Sequence, residues 1–425
     1  MIAIDPLRRE IVQEMHLRPS PAVAAPARIV QILSLQTPET LHGAVDHAAR
    51  LGIIEASTHE PRDGVVERDG ATVLWERHTE ATTLTAIIDD GVTQDTRQRV
   101  LNEISAAPGR VLRAVKIDLE NDEDQADRLR RLCGLASPET VSGRIGKIQF
   151  WSNFTLDEAD GFGRLVLYSN GANTNDLGRV IQQLQELGNY RNLALLGLPL
   201  VRRLAGALSA LEERIGKLIA DLSANKDDRE VLALLVDAAV EAARLRDETA
   251  FRLGATAAYG RIVSDRLETL APAAVSGFQT LADFNNRRLL PALRTCANFT
   301  DRLDQLADHI AYTSDLLRTR IETAVHWQNG ELLRSLGETG RAQLRLQHLV
   351  EGLSVFAVGY YAVSLLGYGL EALPKSWGID GHALSGYLVV PVLVSIALYL
   401  RAQRSRSEGA MGVDAQPRMH TKMDR

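Results

Sequence analysis

The pattern of apolar and polar positions changes character near residue 172. Before it, short apolar runs rich in Ile, Val and Leu alternate with amphipathic segments, which indicates strands alternating with helices. Strands are predicted at Ala27–Leu35, Arg110–Leu119, Ile145–Phe150 and Arg164–Tyr168, and helices at Val92–Ser105 and Asp122–Leu132. Residues 1–172 are therefore expected to form an α/β domain, and the chain as a whole is assigned to the α+β class.

Two local signals support this prediction. In TPETLHGAVDHAARLG, Thr37 occupies the N-cap position, Pro38 the first helical position and Gly52 the position just past the end. The segment Arg68–Asp69–Gly70 separates two extended runs. It predicts a β-hairpin, because Asp-Gly favours the tight turn that joins neighbouring antiparallel strands.

From Asp176 onward strand signals stop, and residues 173–348 are expected to be helical. A first predicted helix ends near Gly197–Pro199, and two further predicted helices cover Leu200–Ser223 and Asp228–Ala271. After Pro272 the longest helical pattern begins, and Pro291 is the only proline between Pro272 and Pro374. A long helix, called the stalk helix below, is therefore predicted from Pro291 to Leu349, with bends at Gly330, Gly337 or Gly340.

The stalk helix carries a narrow apolar seam whose positions are three or four residues apart. The seam consists of Leu289, Leu293, Cys296, Phe299, Leu303, Leu306, Ile310, Leu317, Ile321 and Ala324, with Thr313 in its one gap. Helices with such a seam pair with other helices in coiled-coil fashion. The partner helices are expected either in the same chain or in a neighbouring subunit.

Two uncharged stretches near the C-terminus predict a transmembrane hairpin at residues 349–401. Gly352–Leu370 holds 19 residues and Leu384–Leu400 holds 17, the second with Pro391 inside. At about 1.5 Å per residue the first would span the ~30 Å hydrocarbon core of a bilayer. The alternative is a helical hairpin buried in a soluble core. Residues 402–425 are expected to be a basic, disordered tail.

Charges around the hairpin predict its orientation. Arg341 and Arg345 precede the first span, and Arg401, Arg404 and Arg406 follow the second, whereas the intervening loop is net acidic. By the positive-inside rule, both termini face the cytosol of a bacterial cell and the hairpin crosses its inner membrane twice. The opening residues agree, because their apolar run breaks at Asp5 and Pro6 and does not form a secretory signal.

Small residues lie on one face of the first span, namely Gly352, Gly359, Ala362 and Gly367. Such a stripe permits close helix approach, so the expected partners are the lipid bilayer and further copies of the chain in a homo-oligomer. Neither span contains Asp, Glu, Lys, Arg or His, which argues against a proton relay. A net charge of −6 gives no basic bias, so no nucleic-acid partner is expected. Cys133 and Cys296 lack metal-ligand spacing and are expected to be reduced thiols.

No catalytic motif is found, and the chain is not expected to be an enzyme. The sequence contains no HExxH or GxSxG motif and no complete phosphate-binding loop. In LWERHTE, strand alternation would place Glu76, His78 and Glu80 on one face, which could hold a metal but more simply forms a solvated or interface face.

An acidic cluster raises the question of a cation. Glu120, Asp122, Glu123 and Asp124, with Asp127, lie where a predicted strand meets a predicted helix. Acidic side chains at a helix N-terminus stabilise the helix, which is the simpler explanation. The alternative is a regulatory divalent-cation site at a subunit interface. No other cofactor is expected.

Four segments carry a resemblance to a known family. DPLRREIVQEMHLRPSPAVAAPAR, LWERHTEATTLT, NYRNLALLGLP and QLRLQHLVEGLSVFAVGYY resemble the pattern of a bacterial family of uncharacterised membrane-anchored proteins, a domain of unknown function. The resemblance covers almost the whole chain. It implies no catalytic residues, because the family has no established activity.

The order of elements is also similar to that of the CorA family of magnesium channels. That family ends its first span with Tyr-Gly-Met-Asn, and here Tyr368, Gly369, Leu370 and Glu371 occupy the comparable positions, followed by Leu373-Pro374. The resemblance implies a homo-oligomeric cation channel or transporter with its pore mouth at these four residues. Leu370 and Glu371 depart from the family's Met and Asn. The alternative is a membrane-anchored scaffold or sensor without transport.

Overall fold

The protein is described by a computed structural model that covers residues 5, 7–8, 12, 20–55, 61–222, 227–371, 386–387 and 389–399. The side chains of residues 221–222 and 370–371 are not part of the description. The predicted tail at 402–425 and the segment 372–385 between the two predicted spans lie outside the described residues.

The described residues form eight strands, seven helices up to Glu371 and one further helix, Val389–Tyr399. The strands are β1 (Ala27–Leu35), β2 (Asp63–Arg68), β3 (Ala71–Arg77), β4 (Ala81–Asp89), β5 (Arg110–Glu120), β6 (Val141–Ile145), β7 (Ile148–Leu156) and β8 (Gly163–Tyr168). The helices are α1 (Pro38–Arg50), α2 (Gln94–Ser105), α3 (Glu123–Leu132), α4 (Thr174–Ala194), α5 (Gly197–Leu222), α6 (Asp228–Leu270) and α7 (Leu281–Glu371). The α+β class is therefore confirmed.

All eight strands belong to one mixed sheet with the order β2-β3-β4-β1-β5-β8-β7-β6. Neighbouring strands are antiparallel except for β5 and β8, which run parallel. The central strand β1 pairs with β4 on one side and β5 on the other. Nearly every residue of β1 is buried, as expected for a strand that is covered on both faces.

Both local signals in the sequence are confirmed. Thr37 caps α1 in a capping box that it shares with Thr40, and Gly52 adopts a positive φ of 73° just past the helix. Asp69 and Gly70 connect β2 to β3 with φ values of 53° and 75°. Two consecutive positive φ angles characterise the turn type whose twist matches that of a hairpin.

The two faces of the sheet build two cores. Val30 and Ile32 of β1 pack with Ala48 of α1 and with Val100 and Ile104 of α2. On the opposite face, residues of α4, α6 and the first turns of α7 pack against the sheet, including Ile29, Ile117, Leu177, Leu184, Leu187, Val263 and Leu281. Helix α4, which lies after the predicted boundary at residue 172, thus shares its core with the strands before that boundary.

One predicted strand was wrong in its bounds. Ile145–Phe150 contains the turn of a second hairpin, in which Ile145 of β6 pairs with Ile148 of β7. Gly146 takes a φ of 59°, a left-handed conformation that interrupts an extended run. The sheet edge at β6 receives two further bridges, from Ala273 and Gln279 in the segment between α6 and α7. No strand signal in the sequence had indicated these contacts.

The apolar seam finds its partners within the chain as far as Leu317. Cys296, Phe299, Leu303 and Ile310 of α7 are buried with leucines of α5 and α6 in one helical core. Helix α7 begins ten residues earlier than predicted, because Thr280 caps it by accepting a hydrogen bond from the Asp283 amide at 3.0 Å. The helix continues through Gly330, Gly337 and Gly340 without interruption.

The chain divides into two compact units, Met1–Leu317 and Arg318–Arg425. The first unit contains the sheet, helices α1 to α6 and the first part of α7. The second contains the rest of α7 and a shorter apolar helix, Val389–Tyr399.

Candidate functional site

The last five turns of α7 expose an uncharged apolar surface. Between Gly352 and Gly369 the helix has no charged residue. Six of its large side chains are 68–74% exposed, namely Leu353, Phe356, Tyr360, Tyr361, Leu365 and Tyr368. Water-soluble proteins rarely expose contiguous apolar surface of this kind, so this surface needs a non-aqueous environment or a protein partner.

Two helices of the described chain are long and apolar enough to cross a membrane, Thr174–Ala220 and Leu281–Gly369. The first includes α4, whose leucines are buried against the sheet, and it carries Arg202 and Arg203. The second includes the predicted first span, and only 6% of its most apolar 18-residue stretch is buried. By length and composition, these helices support a membrane location. The predicted second span is described only at residues 386–387 and 389–399.

The predicted packing residues of the first span differ in their surroundings. Gly359 is buried, and a Cβ atom at this position would collide with Leu393 of the shorter helix. Ala362 and Gly367 are half-buried, whereas Gly352 is exposed and a Cβ there would meet nothing within 4 Å. The close approach of the two apolar helices therefore centres on Gly359.

The predicted pore-mouth residues lie at the C-terminal end of α7. Tyr368 is exposed, and a Cβ added at Gly369 would meet nothing within 4 Å. Leu370 and Glu371 are the last residues of the helix, and their side chains lie outside the described part of the chain.

The acidic residues at the start of α3 act locally. Asp122 is the N-cap and accepts a hydrogen bond from the Gln125 amide at 2.8 Å, and Glu123 and Asp124 occupy the first turn. Glu120 is buried and pairs with Arg28 at 2.7 Å. Among the described residues, no group of three or more His, Cys, Asp or Glu side chains could hold a metal ion. Capping of α3 accounts for Asp122 and the ion pair with Arg28 accounts for Glu120, while a divalent-cation site at a subunit interface stays a prediction.

The expected face of Glu76, His78 and Glu80 does not form, because β3 ends at Arg77 and the alternation stops there. The His78 ring packs edge-on against Tyr190 of α4. Glu80 accepts two hydrogen bonds from Arg252 of α6, at 2.8 and 2.6 Å. This bidentate pair attaches the β3–β4 turn to a helix 172 residues away in sequence.

The sequence reasoning missed a cavity of about 240 Å³ between the sheet and helices α4 and α7. Its walls are mostly apolar and include Phe150, Phe154, Leu165, Leu184, Leu187, Phe284 and Leu289. Arg113 of β5 and Arg191 of α4 also line it, and both are only partly exposed. A signal was present in the sequence, because Arg113 shares a strand face with Val115, Ile117 and Leu119.

The two arginines have different contacts. Arg113 Nη1 donates to Gln31 Oε1 at 2.8 Å and to Asn189 Oδ1 at 2.9 Å, both neutral acceptors. The Arg191 guanidinium lies 4.0 Å from the Phe154 ring centroid and 5.4 Å from that of Phe284. Burial, and then the charge of Arg191, lower the pKa of Arg113 to about 9, and burial lowers the pKa of Arg191 to about 10. At pH 7 both guanidinium groups remain charged.

Comparison with models of protein families identifies the family of this chain. The model of a family described as "Protein of unknown function (DUF3422)" matches residues 3–407, nearly the whole chain. Among curated proteins, none matches the chain. The resemblance to a family of unknown function that the sequence segments indicated is thereby confirmed, and the chain belongs to the DUF3422 family.

Proposed function

We propose that this protein is an integral membrane protein anchored by its C-terminal apolar helices. The observation that carries this proposal is the uncharged, exposed surface of α7 between Gly352 and Gly369. A bilayer supplies the apolar surroundings that this surface lacks in a single chain. The tyrosines Tyr360, Tyr361 and Tyr368 add the amphipathic rings that are enriched near membrane interfaces.

We further propose an orientation and an assembly. By the positive-inside rule, the arginines on both sides of the apolar segments favour two crossings of the bacterial inner membrane with both termini in the cytosol. Gly359, which lies against Leu393, forms the centre of the hairpin. The chain assembles as a homo-oligomer, because α7 carries exposed apolar residues along most of its length after Leu317.

The first proposed activity is cation transport of the CorA type. Its support is the order of elements: an α/β domain, a helical region, one long helix that ends in an apolar segment, and a second apolar helix. Tyr368 and Gly369 then form the pore mouth. Conformational changes in the cytosolic part would reach the pore through α7.

Magnesium flux into liposomes tests this activity. The purified full chain is reconstituted around a magnesium-sensitive dye, and flux above that of empty liposomes is expected. Gly369→Val should reduce the flux at least tenfold, because it narrows the proposed pore mouth, whereas the matched variant Gly352→Val should retain it. Absence of flux from a correctly inserted oligomer would overturn the transport proposal and leave the membrane anchor intact.

A second candidate activity is that of a membrane-anchored scaffold or sensor without transport. The observation that favours it is the replacement of the CorA family's Met and Asn by Leu370 and Glu371. Without the asparagine, the pore mouth lacks the amide that holds a hydrated ion in that family. The hairpin would then serve only to hold the cytosolic part at the membrane, and the flux experiment separates the two activities.

A further inference from the structure

We propose that the cavity lined by Arg113 and Arg191 is a binding site for an organic anion, with one carboxylate or phosphate group on a small apolar body. This site lies in the first unit and does not depend on the proposed membrane function. It would make the cytosolic part a ligand-binding domain.

Arg113 and Arg191 of the cavity have no acidic partner among the described residues. The side-chain acceptors of Arg113 are neutral amides, and Arg191 packs on aromatic rings. No carboxylate of the described residues contributes to the pKa of either arginine, while the charge of Arg191 acts on Arg113. Buried charges in proteins are normally paired, so two neighbouring cations without an acid leave a deficit of negative charge.

Arg164 provides an internal comparison, because it lines the same cavity. Its guanidinium pairs with Asp157 at 3.0 Å and with Asp160 at 2.7 Å. Asp160 also pairs with Lys116 at 2.7 Å, so the two carboxylates compensate Arg164 and Lys116 together, whereas no described carboxylate pairs with Arg113 or Arg191. The missing negative charge is assigned to a ligand.

The backbone around the cavity positions both arginines. Gly188 of α4 leaves room for Arg113, since a Cβ there would lie 2.7 Å from its Nη2. Phe154 adopts a φ of 53° at a break in the pairing of β7 with β8. Positive φ is a strained conformation for a bulky residue, and such outliers and bulges concentrate at binding sites. Here the bulge brings the Phe154 ring to 4.0 Å from Arg191.

The chemistry of the lining selects the ligand. A planar guanidinium presents paired N–H donors that match the oxygens of a carboxylate or a phosphate. The leucine and phenylalanine walls match an apolar body and leave few partners for the hydroxyl groups of a sugar. Cations are disfavoured by the two positive charges. An acid with a short acyl or aromatic body fits both features.

Isothermal titration of the full chain in detergent tests the site with four probes. Benzoate combines a carboxylate with an aromatic ring, and benzamide carries the same ring without the charge. Acetate supplies the carboxylate without the ring, and phenyl phosphate carries a phosphate in place of the carboxylate. Saturable binding of benzoate and phenyl phosphate is expected, with benzamide and acetate at least tenfold weaker. Equal affinity for benzamide, or no binding of either aromatic anion, would overturn the proposal.

Arg191→Met is the most informative variant, because it removes the charge and keeps a side chain that packs well on aromatic rings. Its affinity for benzoate should fall at least tenfold, while its melting temperature without ligand should not fall. Gly188→Ala should also lower the affinity for benzoate, because the added methyl group displaces Arg113. Arg246→Met is the matched control, since Arg246 of α6 pairs with Asp304 of α7 and neither residue lines the cavity, so its loss should leave binding unchanged.

A structural role for Arg191 predicts the opposite readings. In that case Arg191→Met would melt at a lower temperature, and benzoate would bind neither the variant nor the parent. A further experiment identifies the source of the anion. If phosphatidylglycerol in nanodiscs reduces the binding of benzoate, the site is supported and is assigned to a lipid headgroup. Undiminished benzoate binding in those nanodiscs supports the site and assigns it to a soluble acid.

Discussion

At the scale of single residues, Arg113 and Arg191 are the least conventional feature of the protein. Arg113 projects from a strand face that is otherwise apolar, and its position depends on Gln31, Asn189 and the missing side chain of Gly188. Burial and the second cation lower the pKa of Arg113 to about 9. A bound anion would offset both effects, because it stabilises the protonated guanidinium.

This pKa predicts how anion binding depends on pH. The folded pKa of Arg113 lies below its ordinary value, so the site loses positive charge as pH rises through about 9. Benzoate affinity should therefore stay level between about pH 7 and pH 8 and decrease above about pH 9. Phenyl phosphate affinity should first increase through about pH 6, where its second proton is lost. Titration calorimetry across this pH range measures the affinities for both ligands. A decrease in benzoate affinity between pH 7 and pH 8 would contradict the assignment of the site to arginines.

At the scale of elements, the placement of α4 on the sheet decides both the core and the cavity. Its leucines complete the core on one face, and its Gly188, Asn189 and Arg191 line or support the cavity. At its N-terminal end, Gly178 lets the chain at Pro21 pass directly over the helix, where a Cβ atom would collide with the Pro21 carbonyl oxygen. The Val23 amide then donates to the Thr174 carbonyl at 3.0 Å.

Two glycine-to-alanine changes in helices should therefore act in opposite directions. Gly178→Ala should lower the free energy of unfolding by about 1–3 kcal/mol, because the added methyl group must displace backbone. Gly216→Ala in α5, where a Cβ would meet nothing within 4 Å, should raise it by about 0.5–1 kcal/mol. Urea unfolding followed by tryptophan fluorescence measures both. Equal stability of the two variants would show that the chain at Pro21 does not rest on α4.

At the scale of the whole molecule, the surface of α7 changes after Leu317. Up to that residue the apolar seam is buried with α5 and α6, whereas Leu332, Leu336, Leu346 and Val350 are exposed in the second unit. Their spacings of four and ten residues keep them on one face of the helix. An exposed apolar face on a helix of this length is characteristic of an interface between subunits.

Paired substitutions test whether this face holds the proposed homo-oligomer together. The double variant Leu332→Gln/Leu336→Gln should dissociate it, because both changes lie on the common face. The control Leu333→Gln/Leu344→Gln replaces leucines of similar exposure away from that face and should keep the oligomer. Analytical ultracentrifugation in detergent measures the mass of each. A parent protein that is already monomeric would contradict the proposed assembly.

Local interactions determined what the sequence could predict. The cap at Thr37, the turn at Asp69–Gly70 and most helix bounds depend on residues within a few positions of each other, so their signals are readable in one stretch of chain. The uncharged segment at 352–369 is also a local signal, because a transmembrane helix is predicted from the composition of one continuous stretch of chain.

Contacts between distant residues were decided only by the tertiary structure. Three such contacts join residues 78 to 172 positions apart in the chain: the pairing of the β6 edge with Ala273, the ion pair of Glu80 with Arg252, and the meeting of Arg113 with Arg191. Their formation depends on how the sheet stacks against α4, α6 and α7, which no local pattern encodes. By itself the sequence determined the elements, the family and the apolar C-terminal segment. The fold determined the cavity, because only packing of the helices on the sheet encloses two cations without an acid.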